Sequence, residues 1–145
     1  MTVNYEKIIT LTGVAKEAVG LLHTYKVQSD DEILLNPEKL GNIKYQFIVA
    51  VEACIDICNH IASKQYSQAP DSYAHCFTIL GEQGIVSPDL AERMSDLAKF
   101  RNVIVHLYWK VDNLRVIQIL KNEMDSINEF LNTISDKFKN PNPDT

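Results

Sequence analysis

The sequence predicts an all-α fold, an antiparallel bundle of four main helices plus a short one. Apolar residues recur with a period near 3.6 through most of the 145 residues, and no segment alternates apolar and polar side chains as a strand does. With 46% apolar residues the chain can fill one core. We therefore expect one domain over residues 1–139, followed by a disordered tail over residues 140–145, where two prolines oppose helix.

The first half of the chain predicts two long helices. Apolar side chains lie on one face of a helix from Tyr5 to about Tyr25, and the acidic stretch after it predicts a short helical turn. Asn36 and Pro37 supply a cap and a first helical residue for the next segment. This helix reaches about Lys64 and is the longest.

The second half predicts three further helices. A short helix runs from about Ser72 to Gln83 and is closed by Gly84. A serine–proline pair begins the next helix at Ser87, and we expect it to reach about Tyr108. After the polar sequence VDN, the segment from LRV to DKF again has helical periodicity and predicts one last helix.

Charge is unevenly distributed along an acidic chain. The net charge is −5, but residues 93–121 hold six basic and two acidic side chains, so this window is +4 and the remainder is −9. Overall acidity disfavours a protein that coats nucleic acid, whereas the basic window is a candidate contact surface.

The cysteines indicate a reducing compartment. Cys54, Cys58 and Cys76 are odd in number and fall within apolar helical patterns. Together with His75 they form a conceivable zinc set, but their spacing favours buried small side chains, so we expect no metal and no cofactor. Without a secretory signal or an apolar run of roughly 18 residues, we expect a cytoplasmic protein that does not enter membranes.

The stretch RNVIVHLYW places Arg101, His106 and Tyr108 in an otherwise apolar run. On an ideal helix Lys99, Asn102 and His106 share a stripe opposite the apolar face, and Arg101 lies at its edge. Because Arg101 and His106 diverge by roughly 140°, one helix does not readily converge them on a single small group. A cleft formed by two chains would bring such groups together more easily.

Two interpretations of this stretch remain open. In the first, the histidine interacts with the helix dipole and the aromatic residues that follow it pack at the edge of the core. Spacing alone favours this structural interpretation. The second is metal-free phosphodiester cleavage, with His106 as general base or acid, Arg101 neutralising the phosphate, and Lys99 or Asn102 positioning it. RNA would supply its 2′-hydroxyl as the nucleophile.

RNVIVHLYW, preceded by SPDLAERMSDLAKF and followed by VDNLRVIQIL, resembles the HEPN-domain toxins of the HepT type. The likeness covers roughly residues 36–130. It implies an all-α homodimer whose R-x4-H-x-Y motif forms a metal-independent ribonuclease site at the dimer cleft. By this resemblance Arg101 and His106 are the catalytic pair and Tyr108 is the motif tyrosine.

The resemblance also implies a protein partner. In this family an MntA-type minimal nucleotidyltransferase antitoxin transfers AMP to the motif tyrosine, here Tyr108, and silences the toxin. A basic rim of Lys99, Lys110 and Arg115 would then guide RNA through salt-sensitive contacts. Two alternatives are a catalytically silent helical module that binds a nucleotidyltransferase, and a dimer that binds a nucleotide without cleaving it.

The longest predicted helix has a polar stripe on an otherwise apolar surface. The stripe consists of Glu52, Asp56, Asn59 and Ser63, with His60 at its margin. It is typical of a solvated face or of a buried polar network. The functional alternative is that Asp56, Asn59 or His60 lines the cleft and orients the basic residues of the motif.

Overall fold

The computed structural model describes residues 2–139, and over these residues the chain is all-α, as predicted. The seven described helices are α1 (Tyr5–Lys26), α2 (Asp30–Leu34), α3 (Pro37–Tyr66), α4 (Tyr73–Glu82), α5 (Pro88–His106), α6 (Asn113–Asn122) and α7 (Met124–Lys137). A 3-10 turn, Tyr108–Lys110, lies between α5 and α6. The tail predicted at residues 140–145 lies outside the described residues.

Side-chain caps begin the helices where the sequence predicts them. Asn36 caps α3 by accepting hydrogen bonds from two backbone N–H groups of the first turn, and Pro37 is the first helical residue. Ser72 and Ser87 cap α4 and α5, and each hydroxyl accepts one such hydrogen bond. Gly84 follows α4 with φ of 74°, a left-handed conformation that suits glycine.

The segment predicted as one last helix forms two, because the chain bends at Glu123. The bend lets α6 pack against α1, α2 and α3, while α7 packs against α1, α3 and α5. The apolar stripe continues in phase through the bend, from Leu120 on α6 to Ile127 on α7, and both residues are buried. Helical periodicity therefore does not reveal the break.

Helix α3 is the central element of the bundle. It packs against all six other helices, and its residues Val51, Ile55 and Ile57 are fully buried. Each such side chain stabilises the fold by about 1.5–3 kcal/mol relative to an exposed position. By length and composition α3 could cross a membrane, but 61% of its most apolar window is buried within the fold, as in the core helix of a soluble domain.

The three cysteines are core residues. Cys54, Cys58 and Cys76 are free and buried, and burial raises the pKa of the Cys54 and Cys58 thiols. The prediction of buried, unpaired thiols is confirmed. Among residues 2–139 no group of three histidine, cysteine or acidic side chains is placed to hold a metal ion.

A histidine joins the end of α3 to the beginning of α1. The Nε2 atom of His60 accepts a hydrogen bond of 2.8 Å from the backbone N–H of Asn4, the residue that caps α1. Burial, together with the positive charges of Lys7 and Lys64, lowers the pKa of His60. His60 therefore contributes to the fold in its neutral form.

We predict that this contact makes stability depend on pH. Because the pKa of His60 is lower in the folded state, the unfolded state binds more protons between the two pKa values. The stabilisation that neutral His60 provides is present above the pKa of the unfolded state, about 6.5. It is lost as the pH falls through the lower pKa of the folded state. Urea unfolding of the wild type and His60→Gln between neutral and mildly acidic pH measures this loss.

The control for this measurement is His23→Gln, which replaces an exposed histidine near the end of α1. It should retain the pH dependence of the wild type, whereas His60→Gln should reduce it. The same pH dependence in all three proteins would contradict the role of His60.

Candidate functional site

The guanidinium of Arg101 is held by contacts from three helices. Its Nη2 donates to Glu52 Oε1 on α3, and its Nη1 donates to Asn102 Oδ1 on α5 at 2.9 Å. Its Cζ lies over the ring of Tyr73 on α4, 5.1 Å from the ring centroid. Only 9% of Arg101 is exposed. The arginine is therefore a fixed junction of α3, α4 and α5.

The charge of Glu52 makes this burial possible. A buried cation without a counter-charge is strongly unfavourable, and Glu52 supplies that charge from a position at the margin of the core. The Nε atom of Arg101 is buried without a hydrogen-bond partner in the described chain. Glu52 and Asn102 therefore provide the hydrogen bonds that hold the guanidinium.

His106 lies beside this junction in an open cleft. It is the last residue of α5 and is exposed. The cleft, of about 320 Å³, is lined by His106 and Asn102 from one side and by Ser72 and Tyr73 from the other. Because α4 begins at Tyr73 where α5 ends, the two helix ends meet around the histidine.

Arg101 and His106 point to different places, as their predicted separation of roughly 140° requires. Arg101 is directed at α3 and His106 at the cleft, and within the described chain no hydrogen bond joins them. Asn102 connects the two groups, because it bonds to Arg101 and also lines the cleft. The chain thus presents a buried cation and an exposed imidazole on either side of Asn102.

Helix α5 ends at His106, shortly before the predicted end near Tyr108, and the 3-10 turn follows. This turn directs its aromatic residues outward. Tyr108 is 73% exposed and Trp109 is 65% exposed, and their rings meet edge to face with centroids 5.3 Å apart. The interpretation that these aromatic residues pack at the edge of the core is therefore wrong, and the Tyr108 side chain is accessible from solvent.

The positive charge of the basic window is largely neutralised within the fold. Four of its six basic residues form ion pairs: Arg93 with Asp89 and Glu129, Arg101 with Glu52, Arg115 with Glu123, and Lys121 with Asp30. Lys99 and Lys110 are exposed, and neither forms an ion pair with the described residues. Lys99 lies along the groove between α4 and α5, and Lys110 lies in the 3-10 turn. The rim predicted from Lys99, Lys110 and Arg115 thus retains two unpaired cations.

A model of the ribonuclease HepT-like family matches residues 15–134. The chain belongs to the HepT-like family. The fold agrees with that of a tri-AMPylated Shewanella oneidensis HEPN toxin in complex with MNT antitoxin, with a TM-score of 0.83 at 21% identity over 90% of this chain and 97% of the toxin. YutE, a cytosolic protein of unknown function from Bacillus subtilis, has a TM-score of 0.81 at 18% identity over 93% of this chain and 90% of its own.

Two curated relatives of this HepT-like chain are named as nucleases. The mRNA nuclease HepT of Shewanella oneidensis is 29% identical over 83 residues, which span 57% of this chain and 62% of the nuclease. The putative RNase of Archaeoglobus fulgidus is 24% identical over 122 residues, 82% of this chain and 92% of that protein. The match to the Shewanella protein thus spans less than two thirds of its length.

The expected orienting residue of this HepT-like chain must be corrected. Asp56, Asn59 and His60 do not bond to Arg101, because they lie further along α3, and His60 instead bonds to the start of α1. The pKa of the Asp56 carboxyl is raised by partial burial and by the charge of Glu52, against an opposing effect of Lys7. Glu52 belongs to the same polar stripe, but only the placement of α5 shows which member of the stripe meets the arginine.

We predict that Glu52→Ala lowers the free energy of unfolding by about 1–3 kcal/mol, since it leaves Arg101 buried without its counter-charge. Glu52→Gln keeps an acceptor oxygen, so its free energy of unfolding should fall by less. Asp56→Ala removes a carboxylate one turn further along α3 and should change stability by less than about 0.5 kcal/mol. Urea unfolding measures all three variants, and equal losses for Glu52→Ala and Asp56→Ala would refute the junction.

Proposed function

We propose that this chain is the toxin of a toxin–antitoxin pair, a cytoplasmic ribonuclease that cleaves RNA without a metal at an R-x4-H-x-Y site in a homodimer cleft. The observation that supports this best is the cleft lined by the exposed His106 imidazole and by Asn102, whose side chain is hydrogen-bonded to the fixed Arg101 cation behind it. Membership of the HepT-like family and two relatives named as nucleases support the same reaction.

His106 is suited to move the protons of this reaction. In the proposed step the imidazole takes the proton of the RNA 2′-hydroxyl, and the resulting oxygen attacks the adjacent phosphorus. The bond from phosphorus to the 5′-oxygen breaks, this oxygen receives a proton, and a 2′,3′-cyclic phosphate remains. Arg101 stabilises the negative charge that develops on the phosphate oxygens. A second His106 from the other protomer would let one histidine act as base and the other as acid.

Asn102 is placed to hold the phosphate. Its Oδ1 accepts a hydrogen bond from Arg101, so this contact fixes which end of the amide faces the arginine. The opposite end carries the NH₂ group, whose two donors suit a phosphate oxygen in the cleft that Asn102 lines. Lys99 and Lys110 would contact flanking phosphates, and with two unpaired lysines per protomer the salt dependence of binding should be modest.

The homodimer is supported by the surface beside His106. Leu107, Tyr108 and Trp109 are all exposed and adjoin the end of α5. Clustered apolar and aromatic side chains of this kind mark interaction surfaces. Covering them with a second copy would bring two clefts together and add the second catalytic histidine.

The exposed Tyr108 also suits silencing by an MntA-type nucleotidyltransferase antitoxin. In that reaction the tyrosine hydroxyl loses its proton and attacks the α-phosphorus of ATP, pyrophosphate leaves, and the oxygen becomes joined to AMP. The product places a negative phosphodiester and an adenosine two residues after His106. This group would repel and obstruct an RNA phosphate at the cleft.

One alternative is favoured by a specific observation. Glu52 neutralises much of the charge of Arg101, which suits a catalytically silent module that binds a nucleotidyltransferase partner or a nucleotide. Such a module needs the exposed Tyr108 surface and the cleft but no proton transfer. RNA cleavage by the unmodified protein distinguishes it from the enzyme.

We predict that the protein, produced without its partner and shown by intact mass to be unmodified, cleaves RNA in EDTA. Arg101→Ala and His106→Ala should each reduce the cleavage rate by about 100-fold or more, since charge stabilisation and proton transfer contribute factors of this size. His23→Ala, an exposed histidine on α1, should cleave as the wild type does. Absence of cleavage by a folded, unmodified dimer would favour the silent module.

We predict that Tyr108→Phe abolishes labelling of the protein by an MntA-type transferase and labelled ATP, because no acceptor hydroxyl remains. RNA cleavage by this variant should persist after incubation with the transferase and ATP. Tyr45→Phe removes another exposed hydroxyl, on α3, and should be labelled and silenced like the wild type. Undiminished labelling of Tyr108→Phe would rule out this tyrosine as the acceptor.

A further inference from the structure

The ring of Tyr73 contacts a fixed cation, and the same residue lines an open cleft. Tyr73 is the first residue of α4. Ser72 fixes this helix start, because its hydroxyl accepts a hydrogen bond of 3.0 Å from a backbone N–H of the first turn. The Arg101 guanidinium lies over one face of the ring, 5.1 Å from its centroid. The residue nevertheless remains 37% exposed, at the wall of the cleft that contains His106.

The contact with Arg101 makes this ring a rigid surface. The guanidinium is itself held by Glu52 and Asn102, so it cannot follow the ring if the ring turns away. A cation over an aromatic face is attracted to it, which favours the observed orientation of the ring. An immobilised, partly exposed aromatic ring loses little conformational entropy when a flat ligand stacks on it.

Sites for single-stranded RNA commonly combine such a ring with phosphate-binding groups. Here the ring shares its cleft with Asn102 and His106, the residues that the proposed reaction assigns to the phosphate and the proton. A base stacked on Tyr73 would therefore lie one nucleotide from the bond that is cleaved. Because every base has an aromatic face, this contact fixes the position of the strand more than its sequence.

We propose that Tyr73 is a stacking platform for the nucleobase adjoining the scissile phosphate of a single-stranded RNA. This inference rests on the proposed ribonuclease function and adds a base subsite to it. In this role Tyr73 is a binding residue, and its removal mainly lowers the affinity for the RNA strand.

Binding to an uncleavable strand tests the proposal. The probe is a short single-stranded oligonucleotide with 2′-deoxy sugars, which lack the nucleophile, and the protein is the full, unmodified chain. Tyr73→Ala should weaken binding by about five- to 100-fold, and Tyr73→Phe should bind like the wild type. Tyr5→Ala makes the same substitution at the first residue of α1 and should also bind like the wild type.

Probes that each lack one base separate stacking from an indirect effect through Arg101. If Tyr73 stacks on a base, the difference between wild type and Tyr73→Ala should vanish for the probe that lacks this base and persist for the others. An equal loss with every probe, or no loss with any, would overturn the proposal. Cleavage of ribose-containing RNA by Tyr73→Ala should show a raised KM with kcat largely retained, whereas displacement of Arg101 would lower kcat.

The binding and cleavage experiments can fail separately. If the wild type does not cleave RNA but the difference between it and Tyr73→Ala still depends on one base, the ribonuclease function fails and the stacking surface stands. If the wild type cleaves RNA and no probe shows a base-dependent effect of Tyr73→Ala, the stacking surface fails and the ribonuclease function stands.

Discussion

The ion pair between Glu52 and Arg101 joins the central helix α3 to α5, the helix that carries the R-x4-H motif. The arrangement of the candidate site depends on this ion pair. Helix α3 is enclosed by the other helices, so a charge directed at it from α5 requires a counter-charge on α3 itself. With the guanidinium fixed in this way, the Asn102 amide and the Tyr73 ring both acquire defined positions. The positions of the Asn102 amide and the Tyr73 ring thus follow from the need of the buried Arg101 cation for a counter-charge.

Much of the fold could be predicted because its signals are local. The caps at Asn36, Ser72 and Ser87 are single residues whose side chains bond within the next turn, so three helix starts are visible in the sequence. The bend at Glu123 could not be predicted, since the apolar stripe stays in phase through it. That bend follows from how α6 and α7 pack against other helices, which is information beyond the local pattern.

The candidate site was predictable where it lies on the motif helix α5, including Asn102, which helix geometry places on the same stripe as His106. The family resemblance indicated Arg101, His106 and Tyr108, and helix geometry predicted that the first two diverge. Glu52 could not be identified as the arginine's partner, because it lies 49 residues away and α3 offers several polar residues on the same stripe. The basic window over residues 93–121 was predicted as a contact surface, but most of its basic side chains form ion pairs with acidic residues from other parts of the chain. The sequence does not reveal these ion pairs, for the same reason. Pairing between distant residues is the property that the sequence alone leaves open.

The interval between Arg101 and His106 also limits how the chain can vary in length. One residue inserted or deleted between them would turn His106 by roughly 100° about the axis of α5 relative to Arg101, and the imidazole would leave the cleft. Residues 111–112, between the 3-10 turn and α6, lie outside any helix, so an insertion or deletion there does not alter the interval within α5. A change of chain length at this connection would leave His106 and Arg101 in the same relative orientation on α5.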